Sequence, residues 1–150
     1  MYVPPFDSLL QAIGLTRTEF EASTQVTIPA ELFKLLLQVA VANSDFNAVG
    51  YLRDNPDVAD AVRSAKIEDP RLHYVGFGFF EGRLGATPEV DERWYLSTHA
   101  DVAKAVKSGE IASATEHFRV VGASEGRSPS SAYSLAAERW KKAIGPIAEG

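Results

Sequence analysis

The segment that decides the fold extends from Tyr51 to Arg83 and has the sequence YLRDNPDVADAVRSAKIEDPRLHYVGFGFFEGR. A second segment, from Tyr95 to Arg127, has the sequence YLSTHADVAKAVKSGEIASATEHFRVVGASEGR. When each residue n is paired with residue n+44, no gap is needed and 14 of the 33 pairs are identical. A repeat of this length usually forms one supersecondary unit that cannot bury its apolar face alone. The sequence therefore predicts two tandem copies of one unit.

Each copy has the start signals of three short helices. Asp45 is suited to cap the first helix, and Pro56 opens the second with Asn55 as its cap. The third helix begins after Asp69 in copy one, and with a capping box from Ser113 in copy two. Two different caps at one register strengthen the prediction of a helix there.

The sequence also indicates which side of these helices is buried and where they end. We expect the aromatic face of the first helix to point inward. The third helix is expected to end at Gly78 or Gly122, because glycine enters the left-handed conformation without a steric clash, and Glu-Gly-Arg then forms a turn. The apolar stripe of the second helix in copy one consists of Val58, Ala61, Val62 and Ala65.

The segment before the repeats is predicted to be helical as well. Asp7 is suited to cap a first helix that ends at Gly14, and a second helix starts with a capping box from Thr16 to Glu19. After Pro29, the chain from Leu32 to Val41 is apolar except for a narrow polar strip. We expect this helix to be buried on several sides, either in the core or in a subunit contact.

After the repeats, an apolar stripe from Tyr133 to Ile144, closed by Gly145-Pro146, is interpreted as a helix that caps copy two. The predicted fold class is therefore all-α, with two tandem three-helix repeats of 44 residues. The predicted segments are an N-terminal helical segment at 1–44, repeats at 45–88 and 89–130, and the capping helix at 131–150. Together they are expected to form one compact domain.

Composition excludes several classes of protein. The formal net charge is −5 and the basic residues are scattered, which argues against a nucleic-acid partner. The chain has no cysteine, so disulfides and cysteine-ligated zinc are excluded. The N-terminus lacks the features of a secretory signal, and the most apolar stretch is too short to span a bilayer. We expect a cytoplasmic protein without a membrane span.

The matched blocks resemble a known family. Tyr51-Leu52, Pro56-Asp57-Val58-Ala59, His73-Tyr74 and Glu81-Gly82-Arg83 are similar to a short helical repeat of bacterial proteins. That repeat occurs as an accessory module beside glycosyltransferase domains and in tandem arrays of repeat-in-toxin-type surface proteins. The resemblance covers roughly residues 46 to 130. It implies a bacterial setting linked to surface polysaccharide, and it brings no catalytic residues with it.

Four polar residues are candidates for ligand binding. His73 and His117 could bind a ligand or a metal, although packed rings bonded to a neighbour are the expected role of copy-matched histidines. Arg83 and Arg127 could bind a carboxylate or phosphate, or they could fold back on a carboxylate or a helix end. We favour the structural role for all four residues.

The candidate interaction residues are apolar. Phe79 and Phe80 are replaced by Ala123 and Ser124 in copy two, so the repeat fold does not require them and they could serve a contact of this protein alone. The apolar helix supplies the remaining candidates, which are Leu32, Phe33, Leu36 and Leu37.

The sequence contains no phosphate loop, nucleophile elbow or metal-binding motif, and we predict no catalytic residue, cofactor or metal. The first hypothesis is an interaction or scaffold module that contacts another protein or itself. The alternative is a carbohydrate- or nucleotide-sugar-binding accessory of polysaccharide synthesis. A small enzyme or a DNA-binding regulator is a third, weaker hypothesis.

Overall fold

The computed structural model describes residues 2–86 and 88–145, and every regular element in these residues is helical. This confirms the predicted all-α fold class. The chain divides into two compact units, with the division between Ala86 and Thr87. The predicted segment boundaries at residues 44, 88 and 130 stay predictions, as does the single compact domain.

The described residues of unit 1, 2–86, form six α-helices and one π-helical turn, π1. Their bounds are α1 Phe6–Ala12, α2 Arg17–Ala22, α3 Ala30–Ala42, α4 Ala48–Asp54, α5 Pro56–Arg63, α6 Pro70–His73 and π1 Tyr74–Gly78. In the described part of unit 2 the order is similar and is followed by a 3-10 turn and a longer helix. The bounds are α7 Glu92–Thr98, α8 Ala100–Ser108, α9 Ala114–His117, π2 Phe118–Gly122, the 3-10 turn Ser131–Tyr133 and α10 Ser134–Ile144.

The core of unit 1 is built around aromatic rings. Tyr51 is almost completely buried, and its ring packs edge-on against Tyr74 with centroids 5.5 Å apart. Phe46 stacks on Tyr74 at the same centroid distance. Val41 and Val58 complete the buried cluster. Since Val41 lies in α3, the helix before the repeated segment takes part in this core by its C-terminal end.

The core of unit 2 shares a tyrosine and a valine with that of unit 1 at matched positions, and Phe118 takes the place of Tyr74. Tyr95 and Val102 are buried as Tyr51 and Val58 are, and they join Val90, Ala114 and Phe118 in one cluster. Of the residues that the sequence places on the inward aromatic face of the first helix, Tyr95 is buried, and Phe46 and Trp94 are half-buried. Val49, at the same helical spacing, is 81% exposed, so its inward placement is wrong.

Several predicted helix starts are confirmed and others are wrong. Thr16 and Glu19 form the reciprocal capping box, and the Asp69 side chain accepts a hydrogen bond from the Arg71 N–H. Asp45 does not cap α4, because the Asn47 side chain accepts from the Gly50 N–H instead.

Three further start predictions need correction. Asp7 lies in the first turn of α1 and pairs with Arg17 instead of capping the helix. Asn55 flanks α5, but its side chain makes no cap hydrogen bond. Ser113 accepts from the Glu116 N–H, whereas the Glu116 carboxylate accepts from Ala112 N–H, so the capping box is not reciprocal.

The end of the third helix differs from the prediction. Gly78 and Gly122 are not left-handed; each is the last residue of a π-helical turn that continues α6 or α9. The left-handed glycines are Gly82 and Gly126, with φ of 77° and 68°, inside the Glu-Gly-Arg turns. Ala65 is also left-handed, with φ of 56°, and it is exposed, so it does not belong to the apolar stripe of α5.

Helix α3 is less buried than predicted. Val41 is its only buried residue, while Phe33, Leu35 and Leu36 are exposed. Full burial in the core of unit 1 is confined to the C-terminal end of the helix, and the alternative expectation of a subunit contact stays a prediction. Its C-terminal end is held by Arg71, whose Nη2 donates to the carbonyl oxygens of Ala42 and Ser44 at 2.8 Å each.

Helix α10 follows the second π-helical turn and is largely exposed. Leu135, Trp140 and Ile144 present their side chains to solvent, and Ala137 is half-buried. The predicted closure of this helix falls partly on Pro146, which lies outside the described residues. Within residues 2–86 and 88–145, no helix has the length and apolar character needed to cross a membrane.

Candidate functional site

A tyrosine and a histidine meet in the same way in both units. The Tyr51 Oη lies 3.0 Å from His73 Nδ1, and the Tyr95 Oη lies 3.0 Å from His117 Nδ1. Burial raises the pKa of both tyrosine hydroxyls, which keeps them protonated and able to donate to the imidazole. The predicted ligand candidates His73 and His117 therefore have a partner inside their own unit.

A glycine makes this pairing possible. A Cβ atom on Gly78 would overlap the Tyr51 hydroxyl oxygen, and a Cβ on Gly122 would overlap that of Tyr95. The glycine is therefore needed for the close approach of a buried hydroxyl, and its left-handed freedom is not used. Glycine is required at this position, but for a different reason from the predicted left-handed conformation.

The arginine of each Glu-Gly-Arg turn is bound by two carboxylates. Arg83 donates to both Asp57 oxygens at 2.8 Å and, through Nε, to Glu81 at 2.7 Å. The hydrogen bonds from Arg83 hold the pKa of Asp57 below its usual range. This places Asp57, in the first turn of α5, and the turn after π1 in direct contact.

The same arrangement occurs in unit 2. Arg127 donates to the Asp101 oxygens at 3.0 and 2.7 Å and to Glu125 at 2.6 Å. These hydrogen bonds lower the pKa of Asp101, and the two carboxylates raise the pKa of the guanidinium. Both guanidinium groups are engaged with carboxylates of their own unit, so neither is presented to an external anion as a free fork.

One position differs in chemistry between the two networks. Asn55 in unit 1 donates to the Tyr51 carbonyl at 2.8 Å and accepts from Arg83 Nη1 at 3.0 Å. Its counterpart in unit 2 is His99, whose ring lies 4.5 Å from that of Tyr95. His99 Nε2 is buried and has no hydrogen-bond partner among the described residues. Sequence reasoning missed His99, although the mismatch of Asn55 with His99 in the 44-residue alignment could have revealed it.

The predicted interaction residues lie together in unit 1 but differ in exposure. Phe79 packs edge-on against Tyr74 and belongs to the border of the core, whereas Phe80 is 40% exposed. Lys34 of α3 places its Nζ 5.5 Å from the centroid of the Phe80 ring, so this ring lies beside α3. Leu32 and Leu37 are half-buried.

We call the exposed residues Phe33, Leu35, Leu36 and Phe80 the apolar face of unit 1. Their exposed fractions are 51, 55, 38 and 40% in that order. Leu35 was missed as an individual candidate because an almost wholly apolar helix does not reveal which of its residues are covered.

A cleft of about 350 Å³ lies in unit 2 between the turn after π2 and α10. Trp140 and Ile144 form its apolar side, and Glu125, Arg127 and Lys141 line it with charged groups. Trp140 is 64% exposed, so its indole ring is accessible to a flat ligand. The sequence assigned Trp140 to a buried stripe and therefore did not indicate the cleft.

No group of three His, Asp or Glu side chains suited to hold a metal ion occurs in the described ranges 2–86 and 88–145. Comparisons with family models, with curated proteins and with solved structures found no match to the chain.

Proposed function

We propose that the protein is a non-catalytic interaction or scaffold module, built from two tandem three-helix repeats, which contacts another protein or a second copy of itself. The observation that carries this proposal is the orientation of α3. The C-terminal end of this helix packs into unit 1 through Val41, whereas Phe33, Leu35 and Leu36 are exposed to solvent.

The helical geometry makes this orientation explicit. Successive residues of an α-helix are about 100° apart, so Lys34, Gln38 and Val41 fall on one side of α3. On that side Val41 is buried, Gln38 is half-buried and Lys34 reaches the Phe80 ring. Leu36 lies on the opposite side, Phe33 lies between the two sides, and both are exposed. Leu35 is exposed as well, so apolar side chains face solvent in several directions around the helix.

Burial of the exposed α3 side chains against a partner would be energetically favourable. Burying a leucine or phenylalanine side chain contributes about 1.5–3 kcal/mol relative to leaving it in water. Exposed apolar side chains that form a patch are typical of surfaces that contact a partner. The apolar face of unit 1 therefore supports a contact role for this unit.

The matched polar residues support a non-catalytic role. Tyr51 with His73, and Arg83 with Asp57, are bonded to each other, and the counterparts in unit 2 are bonded in the same way. Residues that satisfy one another inside a unit, and do so twice, are explained by folding alone. This supports the tandem three-helix organisation and leaves no polar group in these pairs that needs a substrate.

Light scattering coupled to size exclusion tests the proposal. We expect the mass of the protein to increase with concentration, or a stable partner to be recovered in a pull-down, and Leu36→Lys to abolish either contact. Val49→Lys is the matched control, because Val49 is 81% exposed but lies outside the apolar face. A strict monomer that recovers no partner, or equal behaviour of the two variants, would contradict the proposal.

The unit 2 cleft favours a second candidate function, a carbohydrate- or nucleotide-sugar-binding accessory of bacterial polysaccharide synthesis. An accessible indole with charged groups beside it provides an apolar platform and polar contacts, as small-molecule sites do. The resemblance to accessory modules beside glycosyltransferases supports the same class of ligand. A thermal-shift screen with sugars and nucleotide sugars tests it, and a stabilisation that Trp140→Ala removes is the expected result. Silence across the screen would exclude this candidate.

A further inference from the structure

The surroundings of His99, which matches Asn55 of unit 1, disfavour protonation of its imidazole ring. The ring packs against Tyr95, with centroids 4.5 Å apart, and against Trp94, with centroids 6.4 Å apart. Its Nε2 is buried without a hydrogen-bond partner among the described residues. A neutral imidazole can leave this nitrogen as a bare acceptor, whereas an imidazolium must place an N–H there with no acceptor.

The charged and titratable groups around His99 come from every neighbouring element. Arg127 of the turn after π2, Lys141 of α10 and His117 of α9 disfavour a further positive charge, and Asp101 of α8 favours it. The Asp101 carboxylate, however, is held by two hydrogen bonds from Arg127. Because the Arg127 charge already compensates this carboxylate, Asp101 does little to stabilise a protonated His99.

Unit 1 provides an internal comparison because Asn55 occupies the matched position. The Asn55 side chain is fully engaged, donating to Tyr51 and accepting from Arg83, and it does not titrate in the range where histidine does. The tyrosine–histidine pair and the arginine–carboxylate cluster are common to both units. At this position unit 1 therefore has an amide that does not titrate, and unit 2 has an imidazole that does.

We propose that His99 is a proton-sensitive element that loosens unit 2 on acidification, while unit 1, with Asn55 in its place, keeps its structure. Packing and burial lower the pKa of the folded His99, and Arg127 contributes in the same direction. The unfolded chain then binds the proton more tightly than the folded unit. Stability is complete above the ordinary histidine pKa of about 6.5 and is lost as the pH falls below it.

Hydrogen exchange measured by NMR between about pH 7.5 and about pH 5, corrected for intrinsic rates, tests this proposal. The opening constant of unit 2 should rise relative to that of unit 1, by the factor by which folding weakens proton binding at His99. The His99 resonances should titrate below about 6.5. Titration at or above that value would overturn the proposal.

Two reciprocal variants make the test specific. His99→Asn should remove the excess pH response of unit 2, and Asn55→His should confer one on unit 1. If one variant fails to fold, the other still decides the question, and the His99 titration in the unaltered protein needs neither. Equal pH responses of the two units, or a unit 2 response that survives in His99→Asn, would contradict the proposal.

Discussion

Single residues explain much of the identity between the two copies. Three of the 14 identical pairs supply Tyr51, His73 and Gly78. In unit 1 the Tyr51 hydroxyl lies beside both of the other residues, and the counterparts in unit 2 are arranged in the same way. Arg83 is likewise paired with Asp57 and Glu81, and the matched arginine of unit 2 is paired with the matched carboxylates. Each of these residues has a partner that would be left unpaired, or displaced, if it changed.

The first prediction concerns the glycine beside the tyrosine hydroxyl. Gly78→Ala should lower the free energy of unfolding by about 1–3 kcal/mol, because the added methyl group overlaps the Tyr51 hydroxyl in a packed core. Gly76→Ala is the control in the same π-helical turn, since a Cβ there meets no atom within 4 Å. Denaturant unfolding measures both. Equal effects of the two substitutions would show that the overlap is not the cause.

The second prediction concerns the hydroxyl itself. Tyr95→Phe should cost about 1–2 kcal/mol of unfolding free energy, because His117 Nδ1 loses its partner in a buried place. It should also make room for a methyl group on Gly122, so Tyr95→Phe and Gly122→Ala together should cost less than the sum of the single changes. A double-mutant cycle measures this coupling. Additive losses would contradict the proposed contact.

At the scale of elements, the arginine–aspartate pairs connect the start of α5 or α8 to the turn that follows the π-helical turn. The Arg83 hydrogen bonds lower the pKa of Asp57, so the folded carboxylate holds its proton less tightly than the unfolded one. The stabilisation is therefore complete above the ordinary aspartate pKa of about 3.9 and is lost as the pH falls below it.

The third prediction tests this loss of stability at low pH. Asp57→Asn should lower the thermal midpoint near pH 7 by a few degrees, and the difference from the unaltered protein should shrink as the pH is lowered toward about 2. Asp60→Asn is the control on the same helix, because Asp60 pairs with Arg63 where both side chains are exposed. Thermal unfolding followed by circular dichroism measures these effects. A difference that stays constant with pH would rule out the ion pair as its source.

The element scale also shows what a sequence can and cannot indicate. Helix existence and the caps at Thr16 and Asp69 follow from local chemistry, and the structure confirms them. The π-helical turn at Tyr74–Gly78 was not predicted. Its last residue, Gly78, closely approaches the distant Tyr51. Local sequence specifies hydrogen bonds within a few residues, whereas a close approach across 27 positions is a property of the folded unit.

The candidate site shows the same limit. The sequence identified α3 as apolar, but an apolar helix can be buried by its own chain or by another one, and periodicity does not distinguish the two cases. His99 and Trp140 were missed because the role of each depends on neighbours contributed by other elements. By contrast, the structural role favoured for Arg83 was suggested by its recurrence in both copies.

At the scale of the whole molecule, net charge and exposed apolar surface have opposite effects on the association of two copies. The formal net charge of −5 makes two copies repel, and the apolar face of unit 1 favours their contact. Salt screens the repulsion between charged surfaces over a distance of about 10 Å at about 0.1 M, while contacts between apolar side chains persist.

The fourth prediction follows from this balance. If the partner is a second copy, raising the salt concentration from about 0.05 to about 0.5 M should strengthen the association measured by light scattering. Leu36→Lys should remain a monomer at both concentrations, and Val49→Lys should behave like the unaltered protein. Dissociation by salt would instead indicate that charged contacts hold the copies together.

In each unit, a hydrogen bond joins the two ends of the repeated stretch, residues 47–85 and residues 91–129, which bears on how such a stretch can be gained or lost. The Asn47 N–H donates to the Gly85 carbonyl at 2.9 Å, and the Asp91 N–H donates to the Pro129 carbonyl at 3.1 Å. The chain therefore leaves each stretch beside the point where it entered. A genetic event that adds or deletes one such stretch would therefore join chain ends that are already adjacent in the folded protein.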